Sequence, residues 1–121
     1  MQTASDRTTL DDVVVLELGP EYDVINEGQI GPLHSLFQSR LDGMRPRGLV
    51  VDLSQVSWAC SSFLGLLARW WKILSDQGGT RTAVSGVSPM IHQRLSVTGL
   101  NTMWPAFATT NDAVAAFQNG Q

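Results

Sequence analysis

Two adjacent serines stand where the sequence predicts the start of a helix. Ser61 and Ser62 follow Cys60 directly and lead into a long apolar segment with helical spacing. The first turn of a helix has backbone N–H groups without intrahelical partners and the positive end of the helix dipole, so it stabilises an anion such as phosphate. The pattern indicates a serine that can carry a phosphate group, whereas helix rules alone favour an N-cap next to an ordinary exposed serine.

Cys60 is the only cysteine, and a cysteine beside two hydroxyls is one pattern of a nucleophilic site. Such a nucleophile needs a neighbouring base, and neither His34 nor His92 stands in a recognisable pairing with it. We therefore expect Cys60 to be a small buried residue. A single cysteine also excludes an internal disulfide framework and a cysteine-built metal site, and it indicates a reducing compartment.

Other candidate chemical groups have simpler explanations. The segment 78–80, Gly-Gly-Thr, lacks the lysine and the spacing of a phosphate-binding loop and is predicted to be a turn. The carboxylates of Asp11 and Asp12 fall in a predicted hairpin, where solvated charge is the ordinary explanation. The residues therefore indicate no metal site, no cofactor and no enzyme.

The elements on either side must position the two serines. The segment 48–53 before them is a continuous apolar run, which predicts a strand covered on both faces. The helix after them has an apolar arc of about half its circumference. The members of this arc are Phe63, Leu64, Leu66, Leu67, Trp70, Trp71, Ile73 and Leu74. Since one sheet contact needs a narrower arc, one flank can stay partly exposed for a partner.

Gly65 is the most informative residue of this helix. A glycine in a helix interior costs about 1 kcal/mol relative to alanine, and Gly65 falls on the polar side, one turn beyond the serines. Bare backbone there would let a partner approach the hydroxyls closely; the alternative is a neutral glycine in a helix held by tertiary contacts. Ser62 shares a ridge with Leu66 and Arg69, whereas Ser61 faces the polar side.

The rest of the chain alternates strands and helices. Further strands are predicted at 13–18, 82–85 and 104–108, and further helices at 26–41, at 88–98 after a Ser-Pro start, and from Thr109 onwards. Pro105 confines its strand to a sheet edge. The fold class is therefore α/β, with a mixed, mainly parallel sheet and about four crossover helices. We expect one domain over 1–121, in which the polar segment 1–10 is assigned an edge strand only because the next strand needs a partner.

The composition of the chain argues against nucleic acid as a partner. Lys and Arg number 8 against 11 Asp and Glu, which gives a net charge of −3 and no basic stripe for nucleic-acid phosphates. No apolar run approaches the roughly 20 residues that a membrane span requires, and the N-terminal residues lack the cationic start and apolar centre of a signal peptide. We therefore expect a soluble cytoplasmic protein that binds a protein partner or a small ligand.

The central stretch resembles the STAS domain of bacterial anti-sigma factor antagonists. The family shows a strand ending in Asp-Leu-Ser, an apolar-aromatic pair and the motif Asp-Ser-Ser-Gly-Leu-Gly. The matching segments here are 52–54 (Asp-Leu-Ser), Val56 with Trp58, and 60–65 (Cys-Ser-Ser-Phe-Leu-Gly). In addition, 19–23 (Gly-Pro-Glu-Tyr-Asp) resembles the family's turn before its first helix, and 88–100 resembles its third-helix segment. The resemblance covers nearly the whole chain.

The resemblance implies a non-enzymatic binding switch in the regulation of bacterial transcription. In the family, the unmodified antagonist binds an anti-sigma factor that is also a serine kinase, and this frees sigma. Phosphorylation of the second serine ends the interaction, and a serine phosphatase restores it. The matching residue here is Ser62, with Ser61 as the less favoured acceptor. The residues expected at the partner contact are Asp23, Cys60, Ser61, Ser62, Phe63, Gly65, Leu66 and Arg69.

Two residues depart from the family motif. Cys60 replaces an aspartate that would cap the helix and orient the acceptor hydroxyl, and Phe63 replaces a glycine and would add bulk where a kinase needs access. The docking surface could survive in a constitutive binder or in one tuned to a divergent kinase. The departures also favour an alternative, an accessory STAS subunit bound to the ATPase of an ABC lipid-transport system without phosphorylation. A nucleotide-binding or hydrolysing protein is disfavoured, because the sequence has no phosphate loop.

Overall fold

The computed structural model of the protein describes residues 4–8, 13–41 and 46–118, so the predicted hairpin residues Asp11 and Asp12 lie outside it. The strands in these ranges are β1 (Ala4–Thr8), β2 (Val13–Leu18), β3 (Val24–Ile25), β4 (Gly48–Asp52), β5 (Trp58–Ala59), β6 (Arg81–Ser85) and β7 (Ala106–Phe107). The α-helices are α1 (Ile30–Leu41), α2 (Ser61–Gly78), α3 (Pro89–Thr98) and α4 (Thr110–Gln118). Short 3-10 turns occupy Pro20–Tyr22, Glu27–Gln29 and Leu100–Thr102.

The main sheet has the strand order β1-β2-β4-β6-β7. β1 pairs antiparallel with β2, and the remaining neighbours pair in parallel. Valine and leucine dominate β2 and β4, and nearly all their side chains are buried, as in parallel strands that helices cover on both faces. The predicted α/β fold, with a mainly parallel sheet and, in the described ranges, four helices, is confirmed.

Successive side chains of the central strands enter two separate hydrophobic cores, because they point to opposite faces of the sheet. On one face, Val14, Leu16 and Val51 pack against residues of α1, α2 and α3. On the other face, the smaller core consists of Val13, Val15, Val50, Ala83, Ala113 and Phe117, the last two from α4. α2, which carries the two serines, therefore lies on the more heavily covered face.

The strand predicted at 104–108 is shorter in the structure. Only Ala106–Phe107 pairs with β6, at the edge of the sheet. Trp104 is fully buried, and its Nε1 donates a hydrogen bond of 2.9 Å to the carbonyl oxygen of Leu67 in α2. Because a buried indole N–H needs an acceptor, packing against α2 takes Trp104 out of the edge strand.

A second, two-stranded sheet was not predicted from the sequence. β3 and β5 pair in parallel, with Val24 opposite Trp58 and Ile25 opposite Ala59. Ile25 and Ala59 are buried against the larger core, while Val24 and Trp58 face outward. This small sheet lies immediately before the Glu27–Gln29 turn and before α2, so it sets where both begin.

α2 buries the predicted apolar arc and ends as predicted. Its fully or nearly fully buried residues are Phe63, Leu64, Leu66, Leu67, Trp70 and Leu74. Trp71 and Ile73 are half-buried, so one flank of the arc stays partly exposed. Gly79 adopts a left-handed conformation with φ of 68° and terminates the helix.

Candidate functional site

Ser62 and Glu27 meet beyond the C-terminal ends of β5 and β3. The hydroxyl of Ser62 donates a hydrogen bond of 2.6 Å to Oε1 of Glu27. Ser62 is half-buried and Glu27 is exposed. A hydroxyl that donates to a carboxylate forms a charge-assisted hydrogen bond, which is shorter and stronger than one between neutral groups. The predicted phosphate acceptor is therefore oriented by an acidic side chain from a distant part of the chain.

The parallel pairing of β3 with β5 explains this contact between residues that are 35 positions apart. The segments that follow the two strands leave the small sheet side by side. The N–H of Cys60 donates to the carbonyl oxygen of Ile25 at 2.9 Å, which extends the pairing one residue beyond β5. Glu27 and Ser62 then lie in the first turns of the two helical segments.

A capping box fixes the turn that carries Glu27. Oδ1 of Asn26 accepts from the N–H of Gly28 at 3.1 Å, and the N–H of Asn26 donates to Oε1 of Gln29 at 3.0 Å. Nε2 of Gln29 also donates to the carbonyl oxygen of Glu21 at 3.3 Å. The predicted helix from residue 26 therefore begins as a capped 3-10 turn, because the Asn26 and Gln29 side chains satisfy the backbone groups locally.

Neither serine caps α2. The N-cap is Cys60, whose side chain makes no capping hydrogen bond, and Ser61 and Ser62 are the first two helical residues. The hypothesis that one serine is an N-cap is therefore wrong. If Ser61 were the N-cap, α2 would begin at Ser62, but it begins at Ser61. Both hydroxyls instead belong to the first turn, where the helix dipole favours negative charge.

Three of the residues predicted at a partner contact form an exposed row along α2. Ser61, Gly65 and Arg69 are spaced four residues apart, and all three are exposed. A Cβ atom added at Gly65 would meet no atom within 4 Å. Asp23, also exposed, directly precedes β3, at the end of the small sheet opposite to Ser62 and Glu27, and its carbonyl oxygen accepts from the N–H of Ser57 at 2.8 Å. The exposed row therefore begins beside the Ser62–Glu27 pair.

The side chains of Cys60, Phe63 and Leu66 do not belong to this exposed surface. Phe63 is completely buried, and Leu66 and Cys60 are exposed by only 2% and 6%. The prediction that Cys60 is a small buried residue is confirmed. The idea that Phe63 adds bulk at the surface is wrong, because a residue one position after Ser62 is rotated by about 100° around the helix, into the core.

Solved structures of anti-sigma factor antagonists superpose on nearly the whole chain. A STAS domain protein of this kind from Planctomyces limnophilus aligns with a TM-score of 0.84 and 27% identity, covering 97% of this chain and 98% of that one. An antagonist from Mycobacterium paratuberculosis aligns with a TM-score of 0.78 and 26% identity over 96% and 93%. The antagonist SpoIIAA in its unphosphorylated form aligns with a TM-score of 0.77 and 16% identity, over 96% of each chain.

The chain has the STAS fold. The resemblance stated from the sequence is thereby confirmed. No protein-family model and no curated protein sequence matches this chain. Its likeness to known proteins is therefore carried by the three-dimensional structure and by the short motifs around α2.

The exposed face of the small sheet carries two apolar side chains, a feature that was not predicted from the sequence. Val24 and Trp58 are exposed by 47% and 40% and lie opposite each other in register. The guanidinium of Arg94 lies 6.0 Å from the centroid of the Trp58 ring, and its Nη1 donates to the carbonyl oxygen of Ala59. A two-residue strand has no detectable periodicity, so only Trp58 within the family motif could have indicated this face.

The site has the chemistry of a binding surface with a single oriented hydroxyl. In the described part of the chain, no group of three His, Cys, Asp or Glu side chains is placed to hold a metal ion. Of the helices in the same ranges, none has the length and apolar composition that a membrane crossing needs. The acidic group that touches Ser62, Glu27, was also missed, because it is distant in sequence.

Proposed function

We propose that this STAS domain is an anti-sigma factor antagonist that binds its partner through the surface around the start of α2. In this proposal the partner is an anti-sigma factor with serine kinase activity, and phosphorylation of Ser62 ends the interaction. A phosphatase then returns the domain to its binding form. The domain itself acts by binding and not by catalysis.

The observation that carries the proposal is the environment of the Ser62 hydroxyl. It is partly exposed in the first turn of α2, it is not used as an N-cap, and it donates to the carboxylate of Glu27. A structural serine at a helix start would normally accept hydrogen bonds from the backbone. A hydroxyl held by an exposed acidic side chain is instead available to a reagent that approaches from solvent.

The surroundings of Ser62 suit a protein partner. The row of Ser61, Gly65 and Arg69 offers polar groups and bare backbone, and the exposed pair of Val24 and Trp58 at the small sheet offers apolar area. Apolar and aromatic side chains with a polar surround are typical of protein interfaces. The likeness to named anti-sigma factor antagonists supports the same class of partner.

Phosphorylation of Ser62 would change the surface without unfolding the domain. A phosphate adds about −1.5 to −2 charge at neutral pH. In the first turn of α2 the helix dipole favours that charge, so the helix is not weakened. A partner fitted to the neutral hydroxyl, however, would meet repulsion and a desolvation cost. The related protein SpoIIAA has been solved in a phosphorylated form, which supports the idea that the fold accommodates the group.

Neither departure from the family motif argues against this function. Glu27 orients the acceptor hydroxyl, which is the task assigned to the aspartate that Cys60 replaces. Phe63 leaves access to Ser62 open, because its side chain is completely buried.

The proposal is tested by a pull-down from source-cell lysate with the wild type and the Ser62→Asp and Ser62→Ala variants. We expect a kinase-like protein to bind the wild type and Ser62→Ala and to be lost with Ser62→Asp, and mass analysis to find phosphate on Ser62. The matched control is Ser61→Asp, which adds the same charge one residue away and should reduce binding less.

Binding of one partner to all the variants, with no phosphate on Ser62, would contradict a phosphorylation switch. If that partner were an ATPase with its permease, the domain would instead be an accessory subunit of a transporter.

A further inference from the structure

We propose that Glu27 is the second half of the switch at Ser62. Its carboxylate holds the unmodified hydroxyl, and a phosphate on Ser62 expels this carboxylate and opens the Glu27–Gln29 turn that Asn26 caps. This inference deepens the proposed function and rests on it. Glu27 would connect a phosphate on Ser62 in α2 to the surface near β3.

The contact between Ser62 and Glu27 exists only while the serine is unmodified. The 2.6 Å hydrogen bond needs the hydroxyl proton, and an ionised carboxylate can only accept. When Oγ is esterified to phosphate, the proton is gone and two groups of negative charge occupy one site. Like charges in direct contact repel each other by an amount that changes an equilibrium about tenfold, even at an exposed position. The Glu27 side chain must therefore leave its present position.

Movement of Glu27 is transmitted to its neighbours because it is the first residue of a single turn. That turn consists of Glu27–Gln29 and has four backbone-anchored hydrogen bonds. They join Gly28 N–H to Asn26 Oδ1, Asn26 N–H to Gln29 Oε1, Gln29 N–H to the carbonyl oxygen of Asn26, and the N–H of Ile30, where α1 begins, to the carbonyl oxygen of Glu27. Asn26, Glu27 and Gly28 are exposed, and no buried side chain anchors the turn. It is therefore the part of the site that can open at low cost.

Opening of this turn reaches the apolar face of the small sheet. Val24 lies three residues before Glu27 and is opposite Trp58 in register. Gln29 also binds the carbonyl oxygen of Glu21 at 3.3 Å, so loss of the capping box frees the turn from the Pro20–Tyr22 segment as well. A phosphate on Ser62 would thus change the shape of the surface beside β3, in addition to adding charge at α2.

The test uses the full chain with phosphoserine incorporated at position 62 during translation, so that no kinase is needed. Amide hydrogen exchange of Asn26, Gly28 and Gln29 is measured by solvent-exchange NMR with and without the phosphate. We expect exchange at these amides to become about tenfold faster on phosphorylation, because the repulsion favours the open turn by that factor. Amides in β4 should not change.

The deciding variant is Glu27→Gln, which keeps the shape and an acceptor oxygen but removes the charge. In this background the phosphate should change exchange by less than about twofold. The matched control is Glu21→Gln, which removes an exposed charge nearby and should leave the tenfold response intact.

An unchanged turn in the phosphorylated protein, or an equal response in Glu27→Gln, would overturn the inference. The isolated domain is sufficient for this experiment, so its outcome is independent of whether a kinase-like partner is captured in the pull-down. The pull-down can therefore support the proposed function while the exchange measurement contradicts the role of Glu27. The exchange measurement can equally support the role of Glu27 while the pull-down finds no kinase-like partner.

Discussion

Replacement of Gly65 should raise stability and lower partner binding at the same time. Gly65 is exposed in the interior of α2, its φ is not positive, and an added Cβ meets no atom within 4 Å. Gly65→Ala therefore removes a helix-propensity cost of about 0.8–1 kcal/mol without any steric cost. For a chain of this length the melting temperature should rise by about 3 °C. Gly65→Gln should also stabilise, by about 0.5 kcal/mol.

Affinity for the partner should distinguish Gly65→Gln from Gly65→Ala. If the partner approaches the bare backbone beside Ser61 and Ser62, the longer side chain of Gly65→Gln must be displaced, and we expect the dissociation constant to rise at least about tenfold. The alanine variant should lose less. Stability is measured by urea and thermal unfolding, and affinity by titration with the purified partner identified in the pull-down.

The control is Ser75→Gln, an exposed position further along α2, which should leave affinity unchanged. Our reasoning about the helix would be refuted if Gly65→Ala destabilised the fold. Our placement of the partner would be refuted if Gly65→Gln bound as tightly as the wild type.

Two further predictions concern the packing that supports the site. Gly86→Ala should destabilise by about 2–3 kcal/mol in urea unfolding, because φ of 66° disfavours a side chain and the new Cβ would lie 2.8 Å from Cβ of Ser54. Gly79→Ala shares the positive φ but meets nothing within 4 Å, so it should cost only about 1 kcal/mol. Trp104→Phe should cost about 2–3 kcal/mol, since the completely buried indole loses its hydrogen bond to Leu67. These contacts would be contradicted if Gly86→Ala and Gly79→Ala lowered the free energy of unfolding equally, or if Trp104→Phe left it unchanged.

Long, strongly patterned segments are the part of this fold that the sequence predicts well. The run of β-branched residues at Val13–Leu18 forms β2 with the expected bounds, and Ser88 caps α3 with its hydroxyl at 3.3 Å from the N–H of Ile91. Both signals are local: one is a continuous apolar run and the other is a cap followed by proline. Local signals of this kind fix an element without knowledge of what packs against it.

The candidate site was predicted only in part, because its key contacts are not local. Ser62 could be recognised from its place before an apolar helix, whereas Glu27 is brought to it by β3 and β5, strands of two residues each. Phe63 and Leu66 were assigned both to the apolar arc of α2 and to the partner contact, and the structure buries both side chains in the core. The rotation of about 100° per residue, which predicted the arc, was therefore the better guide to these two side chains.

The parallel pairing of β3 with β5 has a consequence for when a kinase could recognise this protein. Parallel strands cannot be joined by a tight turn, and here α1 and β4 lie between them in the chain. Contacts with such a large separation form slowly, since a long loop must close before they contribute. A nascent or misfolded chain contains Ser62 but lacks the adjacent carboxylate of Glu27. The contact between Ser62 and Glu27 thus forms only once the chain has folded. A kinase that recognised both residues would act only on folded molecules.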